Sequence, residues 1–271
     1  MNRSKWDQRI ERAEALTTAH PFAAEVLQFY KRMAVFQQAL YSHGVEACGN
    51  ESGESASGLF QQDLKIHLLV PKFAEFLSTV EGCAPQPVAE SARDLSARGT
   101  ERWQDLLTSF WRTAPDCQPS PGHPEVLLAW IFLQPQAEYR ADHNGPISRQ
   151  VTLAVCPFCS GKPIVGVLRP EGDGAKRSLI CSMCATEWAY GRIICPGCGE
   201  EAVEKLAIYT TSQFDHVRVE ACDTCRHYIK TVDFTKNGHA VPIVDELATI
   251  PLNLWAQQNG YVKLQPNLLG I

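Results

Sequence analysis

Cys156-Pro157-Phe158-Cys159, Cys181-Ser182-Met183-Cys184, Cys195-Pro196-Gly197-Cys198 and Cys222-Asp223-Thr224-Cys225 are four C-x-x-C pairs confined to residues 156 to 225. Two intervening residues let one tight turn aim two sulfurs and several backbone N–H groups at a single point, so each pair supplies half of a tetrahedral site with metal–sulfur bonds of about 2.3 Å. One such pair is weak as a signal. Four of them, with 21 residues between the first and second and 23 between the third and fourth, have the spacing of metal ribbons. Cys156 and Cys195 lie 39 apart and Cys181 and Cys222 lie 41 apart, so the unit repeats and two sites are expected. The simplest assignment joins Cys156, Cys159, Cys181 and Cys184 at one metal and Cys195, Cys198, Cys222 and Cys225 at the other. Interleaved and nested pairings stay open, although the nested one leaves only ten residues between Cys184 and Cys195 for a hairpin. Gly161 and Gly199, just after the first and third pairs, are expected to take positive φ and turn N–H groups toward the sulfurs.

Four thiolates suit structural zinc, which the ligand chemistry favours, and also suit a mononuclear iron centre of rubredoxin type. An iron–sulfur cluster fits less well, because such clusters draw cysteines from asymmetric runs. A thioredoxin-like function needs one C-x-x-C opening a helix, which four pairs do not match. His216, His227 and His239 lie near the ribbons, but eight cysteines already complete two tetrahedra. Cys48, Cys83 and Cys117 read as ordinary small apolar residues. No Ser-His-Asp signature, phosphate-binding glycine loop or H-E-x-x-H occurs, and nothing nominates a catalytic group.

Outward from the cysteines, the chain divides. It has 271 residues, 45% hydrophobic and 20% charged, with 25 Lys and Arg against 30 Asp and Glu. That is enough to bury a core, and it excludes the composition of a disordered chain. Before residue 145, apolar residues recur at helical steps. One helix is expected from Pro21 to Leu40, ending by Gly44. A second is expected from Leu59 to Leu77, interrupted near Pro71, a third from Leu95 to Trp111, and a fourth, apolar almost all round, from Val126 to Tyr139. Cys48–Gly58 and Pro115–Pro124 read as irregular. From Val151 the periodicity changes to short runs: Val151–Val155, Pro163–Leu168, Ser178–Ile180, Ala207–Thr211, Val217–Glu220 and Tyr228–Phe234. These suit small antiparallel hairpins. A last helix is expected from Val244 to Gln258, with Asp245 and Glu246 favoured by its dipole and Asn259-Gly260 ending it. The fold class is therefore α+β: an N-terminal helical bundle (1–147), two rubredoxin-like or zinc-ribbon β modules (148–190 and 191–240), and a C-terminal helix and tail (241–271).

The longest apolar run, Val126 to Leu133, is far short of the roughly 20 residues that span a bilayer. The N-terminus has no apolar stretch after its charges, so no secretory signal is visible and a cytoplasmic location is expected. There, thiols stay reduced, which fits metal binding better than disulfides. Nine Lys or Arg against ten Asp or Glu between Val151 and Asp233 argue against a nucleic-acid-binding ribbon, since phosphate binding needs a basic surface.

The pattern as a whole resembles the formate dehydrogenase accessory (formation) protein FdhE family. The residues that carry the resemblance are Cys156-Pro157-x-Cys159 with Gly161 and Pro163, then Cys181-Ser182-x-Cys184-x-Thr186-Glu187-Trp188 with Arg192, then Cys195-Pro196-x-Cys198-Gly199. They continue with Cys222-Asp223-x-Cys225 followed by Tyr228 and Lys230, then Asp245-Glu246-Leu247-Ala248-Thr249 and Gly260-Tyr261. Ala189, Ile194, Glu246 and Asn253 depart from the family pattern. The resemblance implies a non-enzymatic cytoplasmic factor that binds the catalytic subunit of a respiratory formate dehydrogenase and assists its maturation before export. It implies two metal ions at the eight cysteines and moves the expectation toward iron, with zinc as the alternative. No nucleic-acid partner and no membrane span are expected, and a homo-oligomer stays open.

Overall fold

In the computed structural model, residues 4–44, 64–113, 123–143 and 154–267 are described. Helix α1 (Lys5–Ala19) opens the chain, capped by a reciprocal box in which Ser4 and Asp7 satisfy each other's amides. The sequence reading had no helix there, because its apolar stripe is thin: only Trp6, Ala13 and Leu16 are buried hydrophobics. A short 3-10 turn at Pro21–Ala23 leads into α2 (Ala24–Ser42), close to the expected span.

Helix α3 (Ile66–Glu81) runs through Pro71 without stopping. Pro71 lies early in the helix and removes only the bond its amide would give His67, which the buried stripe of Leu69, Phe73, Phe76 and Leu77 outweighs. The expected helix over Leu95–Trp111 is instead two, α4 (Gln86–Ser96) and α5 (Gly99–Thr113). The chain reverses at Ala97-Arg98, Gly99 takes φ +78°, and Trp103 Nε1 donates to the Leu95 carbonyl at 2.7 Å across the turn. Helix α6 (Pro124–His143) is buried on nearly every side from Leu127 to Ala137, as its uninterrupted apolar run requires. Phe73, Phe76 and Phe132 meet at its centre, with ring centroids 4.8 to 5.7 Å apart. The expected loop at Cys48–Gly58, and Pro115–Pro124 up to residue 122, lie outside the described residues.

The cysteine region builds one sheet of seven strands: β1 (Pro163–Glu171), β2 (Gly174–Cys181), β3 (Glu187–Ala189), β4 (Leu206–Tyr209), β5 (Val217–Cys222), β6 (His227–Asp233) and β7 (Val262–Lys263). The order is β3-β2-β1-β6-β5-β4, with β7 beside β6. Two antiparallel ribbons were expected, and both form; in addition β1 pairs with β6 in parallel, Gly166 opposite Thr231, and this joint makes the two ribbons one sheet. No strand occupies the described part of Val151–Val155. The C-terminal helix is split into α7 (Pro242–Ala248) and α8 (Ile250–Gln258): Thr249 leaves helical geometry, and Pro251, which has no amide to return to Leu247, sits in the first turn of the new helix. Among the described residues no helix is long and apolar enough to cross a membrane.

Candidate metal centres

All four knuckles share one conformation. The residue directly after the second cysteine is left-handed in each: Ser160 (φ 60°), Ala185 (φ 53°), Gly199 (φ 79°) and Arg226 (φ 59°). That geometry lets the amides of Ser160, Gly199 and Arg226 return to the carbonyls of Cys156, Cys195 and Cys222, each at 2.9 Å. The same turns bring the amides of Phe158, Met183 and Gly197 to within 3.3 to 3.4 Å of the sulfurs of Cys156, Cys181 and Cys195. Gly199 takes positive φ as expected. Gly161 does not; its role is close approach, since a Cβ there would stand 3.0 Å from the Cys181 sulfur and 3.2 Å from that of Cys159. A left-handed non-glycine costs on the order of 1–3 kcal/mol and persists only where its surroundings enforce it. Three such residues, each at the same place in a knuckle, mark these turns as organised around their sulfurs.

The knuckles pair as adjacent partners. Cys156, Cys159, Cys181 and Cys184 form one group and Cys195, Cys198, Cys222 and Cys225 the other, all sulfurs of a group lying within 4.8 Å of one another. Cys156 to Cys184 is 3.6 Å and Cys159 to Cys181 is 3.3 Å, while Cys195 to Cys225 and Cys198 to Cys222 are both 3.7 Å. A tetrahedron with metal–sulfur bonds of about 2.3 Å has edges near 3.8 Å, so both groups fit a four-coordinate ion, the second almost without adjustment. The distances are far too long for disulfides. Among the described residues no other group of this kind occurs.

The acid–base state of the thiols points the same way. In the first group the surrounding thiols of Cys159, Cys181 and Cys184 donate to Cys156 and hold it well below the usual thiol range. Cys159 is pushed up by that bond to Cys156, and Cys181 is pushed up by burial. Four thiolates crowded into one buried place repel one another, and a cation at their centre would offset that repulsion. In the second group burial raises Cys195 and Cys225. Cys222 is lowered despite its burial by the amides of Cys225 and Thr224.

The two groups differ in surroundings. The first is buried throughout and belongs to the same apolar cluster as the helical bundle, where Gln134 of α6 donates to the Ser182 carbonyl at 2.7 Å. In the second, Cys198 is exposed and Cys225 half-buried. His216 is not near a sulfur; its Nε2 lies 2.8 Å from Asp245 Oδ1. His227 Nδ1 lies 2.9 Å from the Cys225 carbonyl. Cys83 is half-buried and away from both groups, and Cys48 and Cys117 lie outside the described residues.

Two buried ion-pair clusters whose partners the sequence does not reveal stand in the same half of the chain. Arg177, almost fully buried, donates to the carbonyls of Gly191 and Ile194 at 2.8 and 3.2 Å and pairs with Glu220 at 2.7 Å, which fixes the segment leading into Cys195. Glu246 is fully buried between Lys230, 2.9 Å away, and Lys263. Burial, helped by the neighbouring Lys263 charge, brings Lys230 down to about 7 although the Glu246 charge works against that fall.

Comparison with known proteins now places the chain. Residues 155–192 match the family model for the FdhE central domain, and residues 193–269 match that for the FdhE C-terminal domain. A protein of Aquifex aeolicus (strain VF5) named Protein FdhE homolog is 38% identical over 274 residues, covering 96% of this chain and 94% of its own length. The chain belongs to the FdhE family. An FdhE homologue from Shewanella baltica (strain OS185) is 32% identical over 231 residues, 82% of this chain and 69% of that one. The crystal structure of the FdhE protein from Pseudomonas aeruginosa superposes with a TM-score of 0.68 over 99% of this chain and 97% of the other, at 23% identity, so the FdhE fold is shared.

Proposed function

We propose that this protein is a non-enzymatic assembly factor that binds the catalytic subunit of a formate dehydrogenase in the cytoplasm and assists its maturation. The observation that carries the reading is the pair of four-cysteine groups in a chain of the FdhE family. Cys156, Cys159, Cys181 and Cys184 hold one ion, and Cys195, Cys198, Cys222 and Cys225 hold the other. The ions are iron, in sites of rubredoxin type. When bound, such an ion cross-links two turns and can change charge by one electron. The chain's own residues hold the knuckles in register, exclude water from the first site, and leave one ligand of the second in reach of a partner. The knuckle amides aimed at Cys156, Cys181 and Cys195 stabilise thiolate charge, which favours metal retention.

The test is anaerobic co-purification. Tagged protein carrying two iron ions per chain is expected to retain the formate dehydrogenase catalytic subunit, and a Cys195→Ser, Cys198→Ser double variant, which spares the buried first group, is expected to stay folded while losing the second ion and the client. Retention of the client by a variant without the second ion contradicts the reading. Iron and zinc separate at once in the visible spectrum, since ferric tetrathiolate absorbs strongly and zinc is colourless.

A further inference from the structure

Beside the second four-cysteine group is an apolar recess that the proposed ligands do not explain. Its floor includes Cys195, Cys222 and Tyr228, and its mouth is formed by Ile193, Val203 and Ile208. Those three aliphatic residues are 52%, 65% and 55% exposed. Exposed aliphatics scattered singly need no explanation, but three around one recess do. The recess holds about 100 Å³. That is below the roughly 150 Å³ that admits benzene and well below the ~300–1,000 Å³ of small-molecule sites, so it suits one aliphatic side chain.

The recess opens along β4, which is the last strand on its side of the sheet. The register fixes which main-chain groups of β4 face outward. The Asp223 amide donates to the Lys205 carbonyl at 2.9 Å, and Leu206 stands opposite Cys222. Bonded pairs therefore fall at Ala207 with Ala221 and Tyr209 with Val219, and the amides and carbonyls of Leu206 and Ile208 point away from β5. This is an open edge able to pair with an extended chain. Charge narrows the occupant further. Glu200, Glu201 and Glu204 precede β4, offset by Lys205 and by the exposed Arg192 of the lining, where Arg177 is already paired with Glu220 at 2.7 Å; a loaded tetrathiolate centre with Cys195 and Cys222 in the floor adds net negative charge to the same side.

We infer that the β4 edge and this recess bind an extended polypeptide segment that carries one aliphatic side chain next to a lysine or arginine. The segment adds as a strand along Leu206–Tyr209, its aliphatic side chain enters the recess, and its basic residue faces the acidic rim. Because Cys195 and Cys222 form part of the floor, an ion at the second centre would fix that floor, so metal and peptide are expected to bind cooperatively. This inference rests on the proposed function, in which the peptide belongs to the client.

The test is fluorescence polarisation of the metal-loaded full-length protein with a labelled synthetic peptide in which leucine and lysine alternate between threonines. Saturable binding that weakens with added salt is expected. Ile208→Pro removes an outward amide, a substitution that an edge strand tolerates; it is expected to weaken binding at least tenfold with metal content and melting temperature unchanged. Val203→Lys is expected to do the same through the rim, by removing an apolar contact and repelling the basic residue, and metal-stripped protein is expected to lose binding. Equal affinity in wild type and Ile208→Pro, or no binding to loaded wild type, overturns the inference. So does a wild-type dimer in sedimentation that Ile208→Pro dissolves, which would assign the edge to a second copy. If Ile208→Pro still co-purifies with the formate dehydrogenase subunit, the groove is not the client's site although the assembly reading stands; if wild type binds peptide but never that subunit, the assembly reading fails.

Discussion

The first and second four-cysteine groups are made from the same turn, with the same left-handed residue and the same amide-to-sulfur bonds, yet they sit in opposite environments. Cys156, Cys159, Cys181 and Cys184 are part of the apolar core that also contains Phe73, Leu107 and Phe132 of the helical bundle. Cys195, Cys198, Cys222 and Cys225 lie at the end of the sheet, with Cys198 open to solvent. A metal knuckle is therefore a unit of local geometry whose consequence is set by what packs on it. An ion held by the first group would be a keystone between helices and sheet. One held by the second would shape a surface.

The largest effect that follows is an asymmetry between equivalent cysteines. Cys159→Ser removes a ligand from the shared core and leaves a buried thiolate set short of one partner, at a cost of several kcal/mol; since structural metal binding is folding free energy on the order of 10 kcal/mol, we expect loss of soluble, cooperatively unfolding protein. Cys198→Ser in the exposed group is expected to leave the helical bundle and β1–β3 folded, with one thermal transition slightly lowered. Equal destabilisation by the two variants, measured by circular dichroism, would erase the comparison.

A smaller effect concerns the salt cluster that ties α7 to the sheet. Glu246→Leu leaves Lys230 and Lys263 buried without their shared counter-charge, and breaking such a pair costs about 3–5 kcal/mol. Chemical denaturation is expected to show that loss, and the double change Glu246→Leu with Lys230→Met is expected to recover much of it. Smaller again is Arg177→Met. It frees the carbonyls of Gly191 and Ile194 while Glu220 keeps Arg218, so about 1–3 kcal/mol is expected. Its distinguishing sign is faster metal loss to a chelator from the second group only.

The smallest effect is a pH dependence. The bond to Asp245 raises His216 above its ordinary value of 6.5, so that pair's contribution is complete below pH 6.5 and is lost as pH rises through the raised value. Burial opposes the Asp245 carboxylate, but His216 and Arg12, the latter 2.9 Å away, outweigh it and hold it below its ordinary value; its contribution is complete above about pH 4 and is lost as pH falls. His216→Asn is expected to flatten melting temperature against pH between 6 and 8. An unchanged slope would remove His216 from the account.

Much of this was legible in the sequence because spacing carries it. The C-x-x-C repeat named the eight cysteines and made adjacent pairing the simplest of three, which the structure adopts, and the apolar run at Val126–Leu133 gave the buried helix. What was not legible depends on contacts distant in sequence. The parallel pairing of β1 with β6 joins segments some sixty residues apart, and local periodicity does not encode it. Asp245 and Glu246 read as helix-dipole residues, whereas the fold uses them as buried partners of Arg12, His216, Lys230 and Lys263. Ser160, Ala185 and Arg226 carry no sign of left-handed backbone, because the turn imposes it rather than the residue. Helix α1 was missed for a related reason: two of its buried positions hold Arg9, paired with Glu138, and Ala13, rather than large apolar side chains.

Metal content per chain, measured on anaerobically purified wild type and on Cys198→Ser, tests the central claim most directly. The account predicts two tetrathiolate ions in the wild type and one, still bound, in a folded Cys198→Ser protein. No metal in the wild type, or loss of both ions together from Cys198→Ser, would contradict it.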